Sequence, residues 1–300
     1  MTDWRKAIPE HRDKLQSRIL VWTVGPLLAG ACLPLMFFMA SSQNSGPFLR
    51  IAFGLSLTFG LIVWALRAGT GPAAFCGATI CFLAIARTGS FPKWPVASGL
   101  APMMSLFILT FLTTRAGKHQ KLSAGLAENP RGRRAAQVIA NIGASGLVVI
   151  SASFGLFDRL SKGSGILGFS AFAGPAMLLA VFAEATADTV ASEIGQAFGG
   201  QPFMLWTNRR VPPGTDGAIT ILGTAAGLVG AAIVVLTGTW SMHLAPAQAL
   251  AALLGGSAGL FCDSLLGATV ERRGWLGNDL VNFSSTVFAA AVALALLALR

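Results

Sequence analysis

The sequence predicts an all-α fold: one polytopic membrane bundle of about nine transmembrane helices. Three observations carry that expectation. Hydrophobic residues make up 54% of the 300 residues and charged residues only 11%, where a soluble globular protein carries about 25% charged. Mean hydropathy is +0.66. The apolar residues fall into long runs rich in Ala, Leu and Gly, without the alternation of a membrane strand. So few charges cannot coat a water-exposed surface, so the solvent is a bilayer. A soluble enzyme, a nucleic-acid module and a disordered tail are excluded. The net charge of +10 then reads as cytoplasmic loop charge and attraction to anionic lipid, not as a nucleic-acid partner.

Crossing a hydrocarbon core of about 30 Å takes about 17–25 apolar residues. In order, nine runs approach or exceed that length: 18–40, 49–67, 72–86, 95–114, 135–157, 166–198, 217–239, 246–270 and 279–299. Residues 1–17 form a basic tail. The run behind it is too long for the core of a cleavable signal, so it reads as an uncleaved anchor. The third run is short for a span. The sixth is too long for one and is expected to break near Pro175 or Gly195. Residues 18–114 hold the first four spans, 115–134 a basic loop, and 135–300 the helices in which chemistry is expected, all within one membrane domain. Cys32, Cys76, Cys81 and Cys262 each sit inside an apolar run, without a CxxC pair or a His partner, and read as buried, inert thiols.

Orientation follows from the basic residues. With the N-terminus in the cytoplasm, sixteen of the 22 Lys and Arg residues fall on the cytoplasmic side and six on the other. The positive-inside bias therefore places the N-terminus inside and the C-terminus outside an inner (cytoplasmic) membrane.

The acids are distributed unevenly. The first four runs hold no carboxylate, whereas Glu184, Asp188 and Asp263 lie inside later runs. An ionisable group at mid-helix costs about 2.5–3.5 kcal/mol even on the permissive insertion scale, so each requires a partner or a task. On a helix, Glu184, Asp188, Ser192 and Gly195 share a face. Two carboxylates one turn apart repel each other unless a cation lies between them, and oxygen-rich sites suit Mg²⁺ bridged to phosphates. A proton relay or a structural hydrogen-bond pair is the alternative. Glu193 points away from Asp188 on a straight helix and joins it only if the helix unwinds near Gly195.

Four further stretches add to this set. In RRVPPGTDGAIT (209–220), the Pro-Pro-Gly stops a helix, and Thr215 or Asp216 is expected to cap the next one; the free N–H groups of that helix start, with Arg209 and Arg210 just upstream, would cradle phosphate. In 255–273, Gly256, Gly259, Asp263 and Gly267 share a face on which small residues admit a neighbouring backbone. In GNDLVNFSST (277–286), Asn278, Asn282 and Ser285 form a polar stripe with Asp279 at its edge. The basic loop offers Lys118, Lys121, Arg131, Arg133 and Arg134 to a polyphosphate, and Gln137 and Asn141 continue as a polar face. Ordinary capping and positive-inside charge are the plain readings of these features. There is no Walker A loop, no H-E-x-x-H, no G-x-S-x-G and no Rossmann fingerprint. Under the proposed topology all four stretches meet the cytoplasm, where nucleotides are found. Cations and carboxylates gathered at one face suit phosphoryl transfer.

The ordered motifs GRRAAQVIAN, ADTVASEIG, PPGTDGAIT, CDSLLGATV and NDLVN resemble a family of integral membrane proteins that includes the phytyl-phosphate kinases of plants and cyanobacteria and the eukaryotic transmembrane protein nineteen. The motifs cover about residues 110–290; the first hundred residues resemble the family in hydropathy alone. A Val follows ADT where many members carry Trp. The resemblance implies transfer of phosphate from a nucleoside triphosphate, CTP or ATP, to an isoprenoid monophosphate. Asp188, Glu193, Gly214, Thr215, Asp216, Asp263, Asn278 and Asn282 match its motif positions. On this reading Asp188, Glu193 and Asp263 are catalytic, and Glu184, Asp188 and Asp263 hold Mg²⁺. Lys118, Lys121, Arg133, Arg134 and Asn141 join the loop and Asn positions in binding nucleotide and substrate. The partners are an isoprenoid lipid and the membrane lipids. An ion- or proton-coupled transporter and a related nucleotidyl- or lipid-alcohol phosphotransferase are the rival classes.

Overall fold

A computed structural model describes residues 8–41, 46–88, 97–123, 132–153, 155, 158, 169–205 and 207–299. Arg131 of the basic loop and residues 1–7 of the amino tail lie outside them. The helices are α1 (Glu10–Ser41), α2 (Gly46–Ala65), α3 (Gly71–Thr88), α4 (Leu100–Arg115), the short α5 (Lys118–Ser123), α6 (Ala135–Ser153), α7 (Phe169–Phe198), α8 (Ile221–Met242), α9 (Pro246–Leu266) and α10 (Asn278–Ala298). Each of the nine apolar runs holds one long helix. Among the described residues, seven of them are long and apolar enough to cross a bilayer, and α3 and α4 are shorter. At 1.5 Å per residue those two still reach about 27 and 24 Å. The chain is thus an integral membrane protein of many passes.

α7 is the axis of the bundle. It packs against α4, α6, α8, α9 and α10, and Phe182, Leu178, Leu179 and Val181 on it are fully buried. Small residues set these approaches. A Cβ at Gly223 or Gly227 of α8 would meet the backbone oxygens of Ala191 and Ala187, so α8 lies directly on the α7 backbone. The outer faces are apolar and exposed, as lipid requires: Trp22, Leu33 and Phe37 on α1, Ile221, Leu236 and Trp240 on α8.

Two expectations about α7 and α1 fail. α7 does not break at Pro175 or Gly195. Pro175 lies in the second helical turn, where it forfeits a single ladder bond. Gly195 serves close packing instead: a Cβ there would lie 2.8 Å from Thr220 Oγ1, and the ladder continues with Gly199 N donating to Gly195 O at 2.9 Å. The second part of the amino tail is not a separate tail, because α1 begins at Glu10. Its first two turns dock on the segment that leads into α10. Arg12 donates to Gly274 O (3.2 Å), Gln16 both donates to Trp275 O (2.8 Å) and accepts from Gly277 N (2.7 Å), and Ser17 donates to Asp279 Oδ2 (2.6 Å).

Candidate functional site

Helix direction alternates through the bundle, so the starts of α6, α8 and α10 and the ends of α7 and α9 meet at one face. They enclose a polar cavity of about 300 Å³. α7 contributes Asp188, Ser192 and Glu193; α9 contributes Asp263; a π-helical turn at Gly267–Glu271 brings in Glu271; α6 contributes Gln137 and Asn141, and α10 Asn278 and Asn282. The loop Gly214–Asp216 closes one side. Asp188, Asp263 and Asn282, distant in sequence, therefore share one space. Three helix N-termini with their positive dipole ends face carboxylates from two helix C-terminal halves. This arrangement suits an anion bridged to the protein by a cation.

Second contacts hold these side chains. Asn282 Nδ2 donates to Asn141 Oδ1 at 2.9 Å, locking α10 to α6. Ser285 Oγ lies 2.7 Å from Glu184 Oε1 and 3.3 Å from Asp263 Oδ2. Glu184 itself does not reach the cavity. It is buried one turn deeper, in the notch left by Gly259, where a Cβ would lie 2.5 Å from Glu184 Cγ. The expected triad of Glu184, Asp188 and Asp263 is therefore split. Among the described residues no three His, Cys, Asp or Glu side chains form a metal-holding group.

The cations are also redistributed. Lys121 is 2% exposed; its Nζ forms an ion pair with Glu193 and donates to Thr114 O (2.8 Å) and Thr113 O (3.3 Å) at the end of α4. Two groups expected to serve catalysis and nucleotide binding are thus committed to each other, because α5 lies over the straight end of α7. Arg134 turns outward to Asp279, with Nη2 3.8 Å from Oδ2. Lys118 is exposed and lines a different cavity. Arg133 is the member of the expected set that reaches the polar cavity. Its backbone pairs with the α2–α3 connection, Arg133 N to Ala68 O and Thr70 N to Arg133 O, each at 3.0 Å. Gly132, with φ +78, makes that pairing possible: a Cβ there would strike the 67–69 backbone. Arg133 Nη2 donates to Thr189 Oγ1 at 3.3 Å.

The 212–220 turn departs from the expected cap. Thr215 closes the turn on itself, its Oγ1 donating to Pro212 O at 2.7 Å. The cap of α8 is Thr220, whose Oγ1 accepts from Gly223 N at 3.0 Å. The reason is tertiary. Gly217 (φ +70) lies against the backbone of Ser264 and Ala268, and Ala218–Ile219 pair antiparallel with Phe203–Met204. The helix therefore starts only after this short ribbon. Gly214, Thr215 and Asp216 still line the cavity.

Burial pushes the Asp216 carboxyl up from its ordinary value, with the Arg272 guanidinium working against it. A folded-state value above the unfolded one means that the folded chain holds the proton more readily. Asp216 therefore favours folding in acid and loses that contribution as pH rises through its folded value. Asp216→Asn is expected to raise the thermal midpoint at neutral pH. The gain should vanish toward about pH 4, where the ordinary carboxyl is half-protonated. Thermal unfolding in detergent at both pH values measures this; an equal gain at both would refute it.

Sequence reasoning missed Glu271 as a cavity residue. It precedes Arg272 and Arg273 and reads as loop charge; the π-helical turn that aims it inward leaves no mark in the spacing.

The family described as Integral membrane protein DUF92 matches residues 54–290. An uncharacterized membrane protein of Methanocaldococcus jannaschii is 36% identical over 191 residues, which is 63% of this chain and 72% of that protein. Protein VTE6, chloroplastic, of Arabidopsis thaliana is 28% identical over 206 residues, 66% of this chain and 58% of its own length. An uncharacterized membrane protein of Synechocystis is 30% identical over 201 residues, 65% of this chain and 72% of that protein. No solved structure matches the chain.

Proposed function

The chain belongs to the Integral membrane protein DUF92 family, the family of the phytyl-phosphate kinases and transmembrane protein nineteen whose motifs it shares, and from that premise we propose that it is a membrane kinase for isoprenoid monophosphates. The donor is a nucleoside triphosphate, CTP or ATP, and the products are the isoprenoid diphosphate and the nucleoside diphosphate. One observation carries the reading: Asp188 and Asp263, from two separate helices, meet Asn282 in one polar cavity at the face where the basic residues gather. We place that face in the cytoplasm, with the N-terminus inside and the C-terminus outside an inner membrane.

The donor set fits Mg²⁺, which takes one or two carboxylates and completes its shell with water and substrate phosphates. Asp188 and Asp263 would hold it, and it would supply neutralisation of the charge that develops between the β- and γ-phosphates. Glu184 supports Asp263 through Ser285 rather than binding metal. Gly214, Thr215 and Asp216, with Asn278, border the space left for the nucleotide. An acceptor phosphate oxygen attacks the γ-phosphorus; that bond forms as the bond to the β–γ bridging oxygen breaks. The acceptor is already anionic, so no strong base is needed. Positioning by Arg133, Asn141 and Asn282 and charge neutralisation supply the rate.

Purified protein given phytyl or geranylgeranyl monophosphate, CTP or ATP, and Mg²⁺ is expected to form the prenyl diphosphate, read by mass spectrometry. Absence of that product at every chain length tried would overturn the kinase. Pyrophosphate release would mark a nucleotidyltransferase, and nucleotide-independent proton flux in liposomes a transporter.

A further inference from the structure

The polar cavity has a neighbour of opposite character. A second cavity, of about 220 Å³, lies among α2, α3, α4, α6 and α7. Its walls are apolar: Phe59, Val63, Met103, Leu106, Phe107 and Ile142. Its mouth carries Arg67, Arg115, Lys118, Lys121 and Arg133, and among the described residues no carboxylate lines it. The polar cavity reverses this pattern, with Asp188, Glu193, Asp216, Asp263 and Glu271 against Arg133. Arg133 and Asn141 line both spaces and form a common wall.

Positive-inside charge explains basic residues at this face, but not their closure around an apolar hollow. Three of the five cations have protein partners. Lys121 is paired with Glu193. Arg115 donates to Leu66 O at 3.0 Å and stacks over Phe111. Arg133 donates to Thr189. The side chains of Arg67 and Lys118 have neither a salt bridge nor a hydrogen bond among the described residues. They are positioned to receive an anion that arrives with an apolar body.

We propose that this second cavity is the acceptor site. It takes the head-proximal isoprene units of an anionic prenyl ester. The ester's phosphate sits among Arg67, Lys118 and Arg133, and faces across the Arg133–Asn141 wall into the polar cavity. The assignment rests on the kinase reading and deepens it. It moves Lys118 from the nucleotide to the acceptor, and it leaves the acid-rich cavity to the metal-bound nucleotide, whose charge those acids would otherwise repel. The volume also bears on specificity. At 220 Å³ the cavity lies below the range of about 300–1,000 Å³ that encloses a drug-sized ligand. The distal part of a long tail therefore remains in lipid. Binding depends weakly on total chain length and strongly on bulk near the phosphate.

The test uses the full chain in nanodiscs without nucleotide. The probe is geranylgeranyl monophosphate with a diazirine on its second isoprene unit. Photolysis is expected to label α2 and α4 near Phe59, Met103 and Phe107. Excess unlabelled geranylgeranyl monophosphate should suppress the label, and inorganic phosphate or geranylgeraniol should do so far less. Gly77 lines the cavity, and a Cβ there would meet the Phe59 ring at 3.5 Å, so Gly77→Leu projects into the hollow. It should weaken binding of the probe by about tenfold, equivalent to about 1.4 kcal/mol, without moving the nucleotide KM. Lys118→Ala, at an exposed position of α5, tests the charge half of the claim without touching the core and should also weaken binding. Labels on lipid-facing α8, or wild-type binding by both variants, would overturn the site. Labelling as expected with no diphosphate formed retains the site and removes the kinase. Diphosphate formation with labels elsewhere does the reverse.

Discussion

Asp263→Asn and Asp188→Asn are each expected to lower single-turnover diphosphate formation by roughly 10²–10³-fold, the loss seen when one preorganised charge-stabilising group is removed. Both carboxylates border the polar cavity, and each substitution removes half of the anionic pair that would hold a divalent cation. The fold should tolerate the changes. Asn keeps the side-chain volume and retains an oxygen that can accept from Ser285, which lies 3.3 Å from Asp263 Oδ2. The thermal midpoint should therefore move little while turnover collapses. Raising Mg²⁺ should restore part of the rate if the loss is one of metal affinity. Near-wild-type turnover in either variant would remove that carboxylate from the reaction.

Lys121→Met is expected to cost about 3–5 kcal/mol of stability, because it breaks a buried ion pair by removing one partner. Lys121 and Glu193 are 2% and 7% exposed, so the pair is largely withdrawn from bulk water. The carbonyl of Thr114 would lose its Lys121 donor at the same time, while that of Thr113 keeps Ala116 N at 3.1 Å. Glu193→Gln alone should cost less, since the Lys121 ammonium it leaves behind still donates to the Thr113 and Thr114 carbonyls. The double variant Lys121→Met with Glu193→Leu should recover much of the loss, as apolar replacement of buried ion pairs often does. Chemical unfolding in detergent reports all three. If Lys121→Met unfolds like the wild type, the pair contributes little and the end of α7 is held by other contacts.

These two sites also mark how far the sequence could be read. The carboxylates of α7 and α9 were legible because a charge in a membrane helix demands an explanation. Asp188, Asp263 and Asn282 do converge. The nine helices were legible for an equally simple reason: length and apolarity suffice to announce a span. Pairing was not legible. Nothing local says that Lys121 meets a carboxylate 72 residues away, that Arg134 turns to Asp279, or that Glu184 lies behind Asp188 rather than beside it. The break expected in α7 failed because Gly195 has two possible uses, as a hinge or as a seat for a neighbouring backbone, and only the presence of Thr220 and Gly223 decides between them. The α8 cap moved to Thr220 for a similar reason: the docking of Gly217 on α9 is a tertiary event that capping statistics do not contain.

The contact between the first two turns of α1 and the segment entering α10 has a consequence for how the molecule is made. Ser17 and Asp279 are 262 positions apart. At a synthesis rate of about 5–20 residues per second, the partner of Ser17 emerges roughly 13–50 s after Ser17 itself. α1 must wait in the bilayer, with its polar turns unsatisfied, until α10 arrives. Asn278 and Asn282 enter with α10, so the polar cavity closes only once that helix has been made. A nascent chain halted before α10 carries Asp188 and Asp263 and still lacks a closed cavity around them.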